Sequence, residues 1–377
     1  MMKNIKWNNY ISVIAVAILT VVMTVLSFVG GLPSSTLYLL EKMAISIILA
    51  VSLSLVVGFL GELSLGHAGF MCVGAYLGGK VSVILTESSA IKSDFLVFLI
   101  SLAVGGAFAA VFGIIIGLPA LRLKGDYLAI VTLAFGEIVK SIFLNTSRET
   151  FGGALGLKTP RYDKNELFIF AFLLVLITLV VIQNIINSKH GRAITSIRDN
   201  EIAARATGIN VTKYKLIAFT VSAFFAGIAG VLYSFSNYNV QSAKFGYNYS
   251  IEILVMVVLG GMGSINGAII SAALITFLNT KLATILTGDL AVLQNLLYAL
   301  ILIVIVIYNN APAMAGFRER YNFNILLSKL FKPKNDPSKI KSDKAYWDKI
   351  PTKIKMDAIL SMDLSGKEIT QREEEDK

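Results

Sequence analysis

The sequence predicts an all-α, polytopic membrane protein of about ten transmembrane helices. Of its 377 residues, 55% are hydrophobic and only 15% are charged, whereas an average soluble domain is about 45–50% apolar and 25% charged. The charged residues are also concentrated near the end: residues 309–377 hold 25 of them and residues 1–308 hold 33. This composition excludes a soluble enzyme, a secreted disulfide scaffold and a nucleic-acid-binding protein, despite the net charge of +10.

Apolar runs of about 20 residues, the length that crosses a bilayer, define the predicted spans. They cover residues 10–30, 36–60, 64–85, 95–118, 127–144, 167–187, 216–236 and 290–308. The first run lacks a cleavage site and is therefore interpreted as a span rather than a signal peptide. A longer apolar stretch, 251–280, is interrupted by a glycine cluster at 260–264. We interpret it as two short helices that both cross.

The positive-inside rule sets the orientation. The segment Lys189–Lys215 carries six Lys/Arg against two acids, so it is predicted to be cytoplasmic. Counting six spans back from it places the N-terminus in the cytoplasm, which agrees with Lys3 and Lys6. The C-terminal tail is also cytoplasmic, provided that 251–280 crosses twice. One loop argues against this topology, because 145–166 would be external and yet holds four basic residues. We predict a transmembrane domain at 1–308, with a cytoplasmic loop at about 188–215, and a charged, largely disordered cytoplasmic tail at 309–377.

The residues that could carry catalysis or bind a metal are few. Cys72, His67 and His190 lack the spacing of metal ligands, so no metal site and no cofactor are predicted. No Gly-Lys pair is followed by Ser or Thr, so the chain has no phosphate-binding P-loop. The chain is thus predicted not to be an enzyme, and any ATP hydrolysis would occur on another subunit.

Glu137 lies about 11 residues into a predicted span, where a charge costs roughly 2.5–3.5 kcal/mol on insertion scales. Lys140 follows at i+3 and can pair with it on the same helix face. Two interpretations remain open: a local ion pair against a neighbouring helix, or a polar lining of a translocation path.

Two glycine-rich interruptions of the apolar pattern are the other candidates for a path. One is the segment 61–70, whose polar and small residues are denser than a lipid-facing helix needs, and the other is 260–264. The alternative is helix packing and a cytoplasmic turn, with His67 as a packing residue rather than a proton relay. The candidate path residues are Glu62, Ser64, Gly66, His67, Glu137, Gly260, Gly261 and Gly263.

The basic loop predicts a short helix. Asp199 or Asn200 can cap it and Gly208 can end it. Ile202 and Ala206 recur at helical spacing, with Ile209 following, so the helix would present an apolar face. Such a helix can seat in a groove on a partner protein. The alternative is a solvated basic loop.

Four sequence blocks and one shorter motif together carry a resemblance to a known family. The blocks are 61–78 (GELSLGHAGFMCVGAYLG), 118–140 (LPALRLKGDYLAIVTLAFGEIVK), 191–232 and 251–267 (IEILVMVVLGGMGSING), and the motif is FGGALGL at 151–157. With these motifs the chain resembles the LivM-type permeases of bacterial branched-chain amino-acid ABC transporters. It departs from the family at Glu62, where Gln is commoner, and at the turn after the last span.

The resemblance implies the permease subunit of an ABC importer, in the bacterial cytoplasmic membrane, that moves leucine, isoleucine and valine into the cell. It implies a heterodimer with a homologous second permease, two cytoplasmic ATP-binding subunits and an extracytoplasmic solute-binding protein. In this picture the basic loop is the coupling loop that docks on an ATPase subunit. Its candidate residues are Gly191, Arg192, Ile197, Arg198, Asp199, Asn200, Glu201, Ala203, Ala204, Gly208 and Ile209.

Three alternatives stay open at this point. The nearest is an ABC permease of the same class that moves urea or short amides. Another is a secondary transporter driven by an ion gradient, with Glu137 and His67 as its titrating pair. The last is a structural membrane scaffold, which would have no use for a basic docking loop.

Overall fold

The computed structural model describes residues 11–285, except 32, 89–92, 124, 161 and 238, together with 299, 300 and 303. The described residues belong to the first of two units, Met1–Ile307. The predicted span 290–308 is described at only three positions. The predicted tail 309–377 and the basic residues at 3 and 6 lie outside the described residues.

The described residues form helices and one short pair of strands. The elements are α1 (Ile11–Gly30), α2 (Ser34–Ser54, continued by a π-helical turn Leu55–Leu60), α3 (His67–Glu87), α4 (Asp94–Ala120), α5 (Asp126–Asn145), α6 (Arg148–Phe151), β1 (Leu157–Lys158), α7 (Lys164–Asn187), α8 (Lys189–Asp199), α9 (Glu201–Ala206), α10 (Val211–Asn237), β2 (Asn239–Val240), α11 (Tyr247–Gly260) and α12 (Ile265–Ile285).

Seven of these helices are long and apolar enough to cross a membrane, namely α2, α3, α4, α5, α7, α10 and α12. Two shorter apolar stretches lie in α1 and α11. Each predicted apolar run up to residue 285 therefore corresponds to a helix, and the prediction of a helical, multi-pass membrane protein is confirmed. The count of about ten crossing helices and the cytoplasmic termini stay predictions.

The helix α2 lies at the centre of the described bundle. In the most apolar 18-residue stretch of this helix 94% is buried, whereas the corresponding stretches of α4 and α5 are each 39% buried. The helices α7, α10, α11 and α12 surround it. Most of α2 is apolar, and its buried polar side chains find partners in the bundle: the Glu41 carboxylate accepts a hydrogen bond from the Ser236 hydroxyl at 2.5 Å, and the Ser52 hydroxyl lies 2.9 Å from the His67 Nε2.

Glycines bring α3 and α10 into close contact. A Cβ atom at Gly74 would collide with the backbone of Gly227, and one at Gly78 would lie 2.5 Å from a methyl group of Val231. The second contact lies four residues further along both helices than the first, so α3 and α10 run parallel. The predicted order of spans also requires these two helices to cross the membrane in the same direction. In lipid, close backbone approach of this kind supplies the van der Waals packing that holds helices together.

The glycine break predicted at 260–264 is present. It joins α11 and α12 into an antiparallel hairpin, in which Gly260 packs on Gly267 and the Ser271 hydroxyl donates to the carbonyl of Met256. The helix α11 has 14 residues and is therefore about 21 Å long, less than the roughly 30 Å of a bilayer core.

The two ends of the bundle are distinct. At one end β1 pairs with β2, with Leu157 opposite Val240. This pairing places the loop 145–166 beside the end of α10. The loop α8–α9 contacts the start of α10 and the end of α2. The basic loop 145–166 therefore lies at the end opposite α8–α9, as the predicted topology requires.

Candidate coupling site

The basic loop folds as two short helices rather than the single one expected. The Ser188 hydroxyl accepts hydrogen bonds from the first amides of α8 and caps it. The Asn200 Oδ1 accepts from the Ala203 amide at 3.0 Å and caps α9, and Gly208, at φ +86°, follows its end. Of the two caps considered, Asn200 is the one used. A helix over 189–199 was missed because its apolar residues are few.

The candidate docking residues divide between two faces. Gly191, Ile197 and Ala204 are buried against the bundle, so they fix the loop in place and cannot touch a partner. Glu201 and Ile209 are half-buried. The exposed members are Arg192, Arg198, Asp199, Asn200, Ala203 and Gly208. Ile202, 80% exposed, stands at the tip of the loop.

Arg198 lies where α8 meets both interrupted helices. Its guanidinium Nη1 donates to the carbonyl oxygen of Gly58 at 3.2 Å, and its Nη2 pairs with the Asp199 carboxylate at 2.9 Å. A Cβ atom at Gly61 would lie 2.6 Å from the Arg198 Cγ. The guanidinium also lies beside Gly263, since a Cβ there would be 3.6 Å from Nη1. One side chain thus contacts the π-helical end of α2 and the turn between α11 and α12.

A second connection is a buried cluster of charges around Lys215. The Lys215 ammonium pairs with the carboxylates of Glu62 and Glu201, the latter at 3.1 Å. Its side chain is only 4% exposed. Arg205 pairs with Glu201 at 2.8 Å from the solvent side. The cluster therefore joins α9, the start of α10 and the segment between α2 and α3.

Lys215 is a residue that the sequence analysis missed as part of the site. It was counted as one of six basic residues that orient the loop. Its position, four residues after the start of an apolar helix, is a signal that this positive charge faces the bundle. The partner Glu62 could not be found from spacing, because the two residues are 153 positions apart.

His67 has the geometry of the packing alternative. Its Nε2 lies 2.9 Å from the Ser52 hydroxyl, and the residue is 2% exposed. The Ser222 hydroxyl donates to the Ser52 carbonyl at 2.6 Å. His67 thereby ties α3 to α2, and Ser52 ties α2 to α10. Ser64 is also buried.

Glu137 pairs with Lys140 at 2.7 Å, as its spacing predicts. Its other carboxylate oxygen accepts a hydrogen bond from the Tyr247 amide at 2.7 Å. Tyr247 is the first residue of α11, where amides lack partners within the helix and the helix dipole is positive. Glu137 therefore holds the beginning of α11 in place.

The structure does not bring the eight candidate path residues together into one path. Glu62 pairs with Lys215 and Gly263 lies beside Arg198, at the end of the bundle that bears α8–α9. Gly261 lies in the same turn as Gly263. Gly66 packs on Thr132, and Gly260 packs within the hairpin.

A cavity of about 390 Å³ lies at the other end of the bundle, between α2, α10, α11 and α12. Polar side chains line it, among them Lys42, Glu252 and Thr276. None of the eight candidate path residues is among the residues that line it.

A bundle of membrane spans, with a basic helical loop docked on its interrupted helices, defines a membrane-embedded transport permease. Residues 35–307 match the family described as branched-chain amino acid transport system / permease component. The chain belongs to this family, and the resemblance to LivM-type permeases predicted from its motifs is confirmed.

The relatives include permeases named for branched-chain amino acids and permeases named for sugars. The LivM permease of Escherichia coli K12, named as a high-affinity branched-chain amino acid transport protein, is 38% identical over 61% of this chain and 60% of its own length. A probable LivM of Methanocaldococcus jannaschii is 26% identical over 58% of the chain and 73% of its own. The ribose import permease RbsC of E. coli K12 is 25% identical over 79% and 92%. The chain thus spans about 60% of the length of the E. coli LivM. No solved structure matches the chain.

Proposed function

We propose that this chain is the membrane-spanning subunit of an ATP-driven importer, which moves leucine, isoleucine and valine across the bacterial cytoplasmic membrane. It forms a heterodimer with a homologous permease, takes substrate from an extracytoplasmic binding protein, and is driven by two cytoplasmic ATP-binding subunits. The names of the LivM relatives support the substrate class. About ten helices cross, both termini are cytoplasmic, and 309–377 is a charged tail.

The observation that carries this proposal is the docking of α8 on the two interrupted helices. Arg198 contacts the end of α2 and adjoins the turn between α11 and α12. A displacement of α8–α9 by an ATPase subunit is transmitted directly to both elements. ATP binding can therefore change the relative free energies of outward-open and inward-open states, which is the requirement for coupled transport.

Of the competing proposals, a secondary transporter fits the geometry less well. In a secondary transporter, Glu137 and His67 would exchange a proton or an ion. Each of them is instead held by a structural contact, Glu137 at the start of α11 and His67 on Ser52. The ribose import permease among the relatives keeps a sugar as an alternative substrate, and a urea-like solute is the other alternative; the uptake test below distinguishes both from leucine.

The test is labelled-leucine uptake at micromolar concentration, in cells with and without this gene. ATP and the proton gradient are controlled separately, and unlabelled isoleucine, valine, urea and ribose are added as competitors. Uptake that requires ATP and the gene, and that isoleucine and valine block, is the expected result. Uptake that an uncoupler abolishes while ATP is maintained contradicts the proposal, and so does ATP-driven uptake of only urea or ribose.

A further inference from the structure

The cavity between α2, α10, α11 and α12 carries charges of both signs. Lys42 on α2 and Glu252 on α11 both line it, and Lys244 lies at its edge in the turn Ser242–Phe245. Ionisable groups within membrane spans are rare, and they mark the pathways of substrates and ions when they face a cavity. None of the other functional contacts described for this bundle uses these three residues.

Lys42 and Glu252 are not neutralised by a direct ion pair. Within the described part of the chain, no carboxylate lies within ion-pair distance of the Lys42 ammonium, which instead lies 4.6 Å from the centre of the Tyr38 ring. Glu252 accepts one hydrogen bond, from the Asn279 amide at 3.0 Å. A cation on one side and a carboxylate on the other thus face the same space.

A third observation is independent of the charges. Thr276 on α12 is one of the residues that line the cavity, and its buried hydroxyl has no hydrogen-bond partner among the described residues. A buried hydroxyl without a partner destabilises the protein, because the group loses its hydrogen bonds to water and gains none in return. Rotation of this side chain toward the cavity would let a polar ligand supply that partner.

The remaining lining is partly apolar. Ile45, Phe245 and Ala283 contribute carbon surface, and the tyrosines Tyr38, Tyr233 and Tyr249 contribute ring faces. A volume of about 390 Å³ lies within the range of small-molecule sites, roughly 300–1,000 Å³. The cavity therefore combines opposite charges with apolar walls.

We propose that this cavity is a transport site for a zwitterionic amino acid with an apolar side chain. The Lys42 ammonium binds the α-carboxylate, the Glu252 carboxylate binds the α-ammonium group, and the apolar walls receive the side chain. A sugar or urea offers no charged group to either side chain and therefore gains less from these two charges than a zwitterion does. This assignment rests on the proposed function as a permease and names the residues that would hold its substrate.

The position of the cavity fits a site that receives solute from outside. It lies near the start of α2 and the end of α10, whereas α8–α9 contacts the end of α2 and the start of α10. Glu137 fixes the first turn of α11, the helix that carries Tyr249 and Glu252. A contact at the end of α2 that moves with α8 can thus alter the cavity through the same helix.

The first test uses charge-neutral variants in the assembled transporter. Lys42→Met and Glu252→Gln are each expected to lower the maximal rate of ATP-driven leucine uptake about tenfold or more, because each removes a charged hydrogen-bond partner. The matched controls are Lys281→Met on α12, outside the cavity, and Glu149→Gln in α6; both side chains are exposed. They are expected to stay within about twofold of the wild type. Uptake at the wild-type rate in Lys42→Met and Glu252→Gln overturns the assignment.

The second test does not depend on transport by the variant. The chain has one cysteine, Cys72, which is buried. Thr276→Cys is therefore labelled selectively with a charged methanethiosulfonate, in the complex with its binding protein. Leucine is expected to slow the labelling several-fold, and ribose is not. Absence of labelling, or labelling that leucine does not slow, overturns the assignment. Because this test keeps Lys42 and Glu252, it remains valid if a charge variant fails to assemble.

The wild-type complex separates the two proposals. If it takes up leucine with ATP while the cavity variants behave as controls, the cavity assignment is wrong and the proposed function stands. If it takes up a different zwitterionic amino acid, and Lys42→Met abolishes that uptake, the cavity assignment stands and the proposed substrates are wrong.

Discussion

The guanidinium of Arg198 donates a hydrogen bond to the backbone carbonyl oxygen of Gly58, 3.2 Å away and 140 residues earlier in the chain. A backbone carbonyl is free to accept this bond because α2 ends in a π-helical turn there. The bond therefore links the loop α8–α9, which is proposed to dock on an ATP-binding subunit, with the π-helical end of a membrane span.

Arg198→Ala is expected to lower leucine uptake per ATP hydrolysed by about fivefold or more, because it removes a charged hydrogen bond between α8 and α2. The measurement is uptake and phosphate release in the same proteoliposomes. Lys189→Ala, an exposed change at the start of α8, is the control and is expected to leave the ratio unchanged. An unchanged ratio in Arg198→Ala would show that this contact does not transmit motion.

Gly61→Ala is expected to destabilise the protein more than Gly208→Ala. Both glycines have positive φ, +79° and +86°, so both substitutions carry the left-handed strain of roughly 1–2 kcal/mol. Only at Gly61 would the new methyl group meet a side chain, the Arg198 Cγ at 2.6 Å, whereas Gly208 has nothing within 4 Å. Thermal unfolding in detergent measures the difference.

The same pair provides an internal check. Adding Arg198→Ala to Gly61→Ala removes the atom that the methyl group meets, so the double variant is expected to recover part of the lost unfolding temperature. Equal unfolding temperatures for Gly61→Ala and Gly208→Ala would contradict the packing of Arg198 on Gly61.

Lys215→Met is expected to destabilise the protein by on the order of 3 kcal/mol, because it leaves the Glu62 carboxylate without its cation and leaves Glu201 with Arg205 alone. Glu62→Gln alone is expected to be mild, and combining it with Lys215→Met should restore stability in part. Lys213→Met, an exposed change two residues away, is the control. Thermal unfolding in detergent ranks the stabilities of these variants. A Lys215→Met variant as stable as the wild type would refute the stabilising role given to the cluster.

Ile202→Ser is expected to weaken association with the ATP-binding subunits about tenfold, because a large apolar side chain that is 80% exposed at the loop tip is suited to fill a partner's groove. Pull-down of the subunits over a concentration series measures the change. Tyr127→Ser, at a side chain 70% exposed at the start of α5, is the control. Equal association of both variants would place the docking surface elsewhere.

The membrane spans could be predicted because composition decides them. A run of about 20 apolar residues satisfies its backbone in lipid as a helix, whatever its neighbours are. The break at 260–264 was also predictable, since its glycines and serine interrupt such a run. The local cap at Asn200 follows from three neighbouring residues, and the pair Glu137–Lys140 from one turn of helix.

The tertiary partners could not be predicted in this way. Glu137 reaches the Tyr247 amide across 110 residues, and Arg198 reaches Gly58 across 140. Such pairings depend on how the helices are arranged, which local periodicity does not encode. The same reason explains why Gly191, Ile197 and Ala204 were assigned to a docking surface although they face the bundle.

The central place of α2 also bears on the order of events during synthesis. This helix is made before α7, α10 and α12, the helices that later cover it, and chains emerge from the N-terminus onward. Until those helices are inserted, lipid covers the surfaces of α2 that they later contact. Its burial is complete only after α12, the last of the three, has been made. From Met43 to Ser54 the helix has no charged residue, so this part is stable both in lipid and in a buried core, and the helix can persist in the bilayer until the later helices are made.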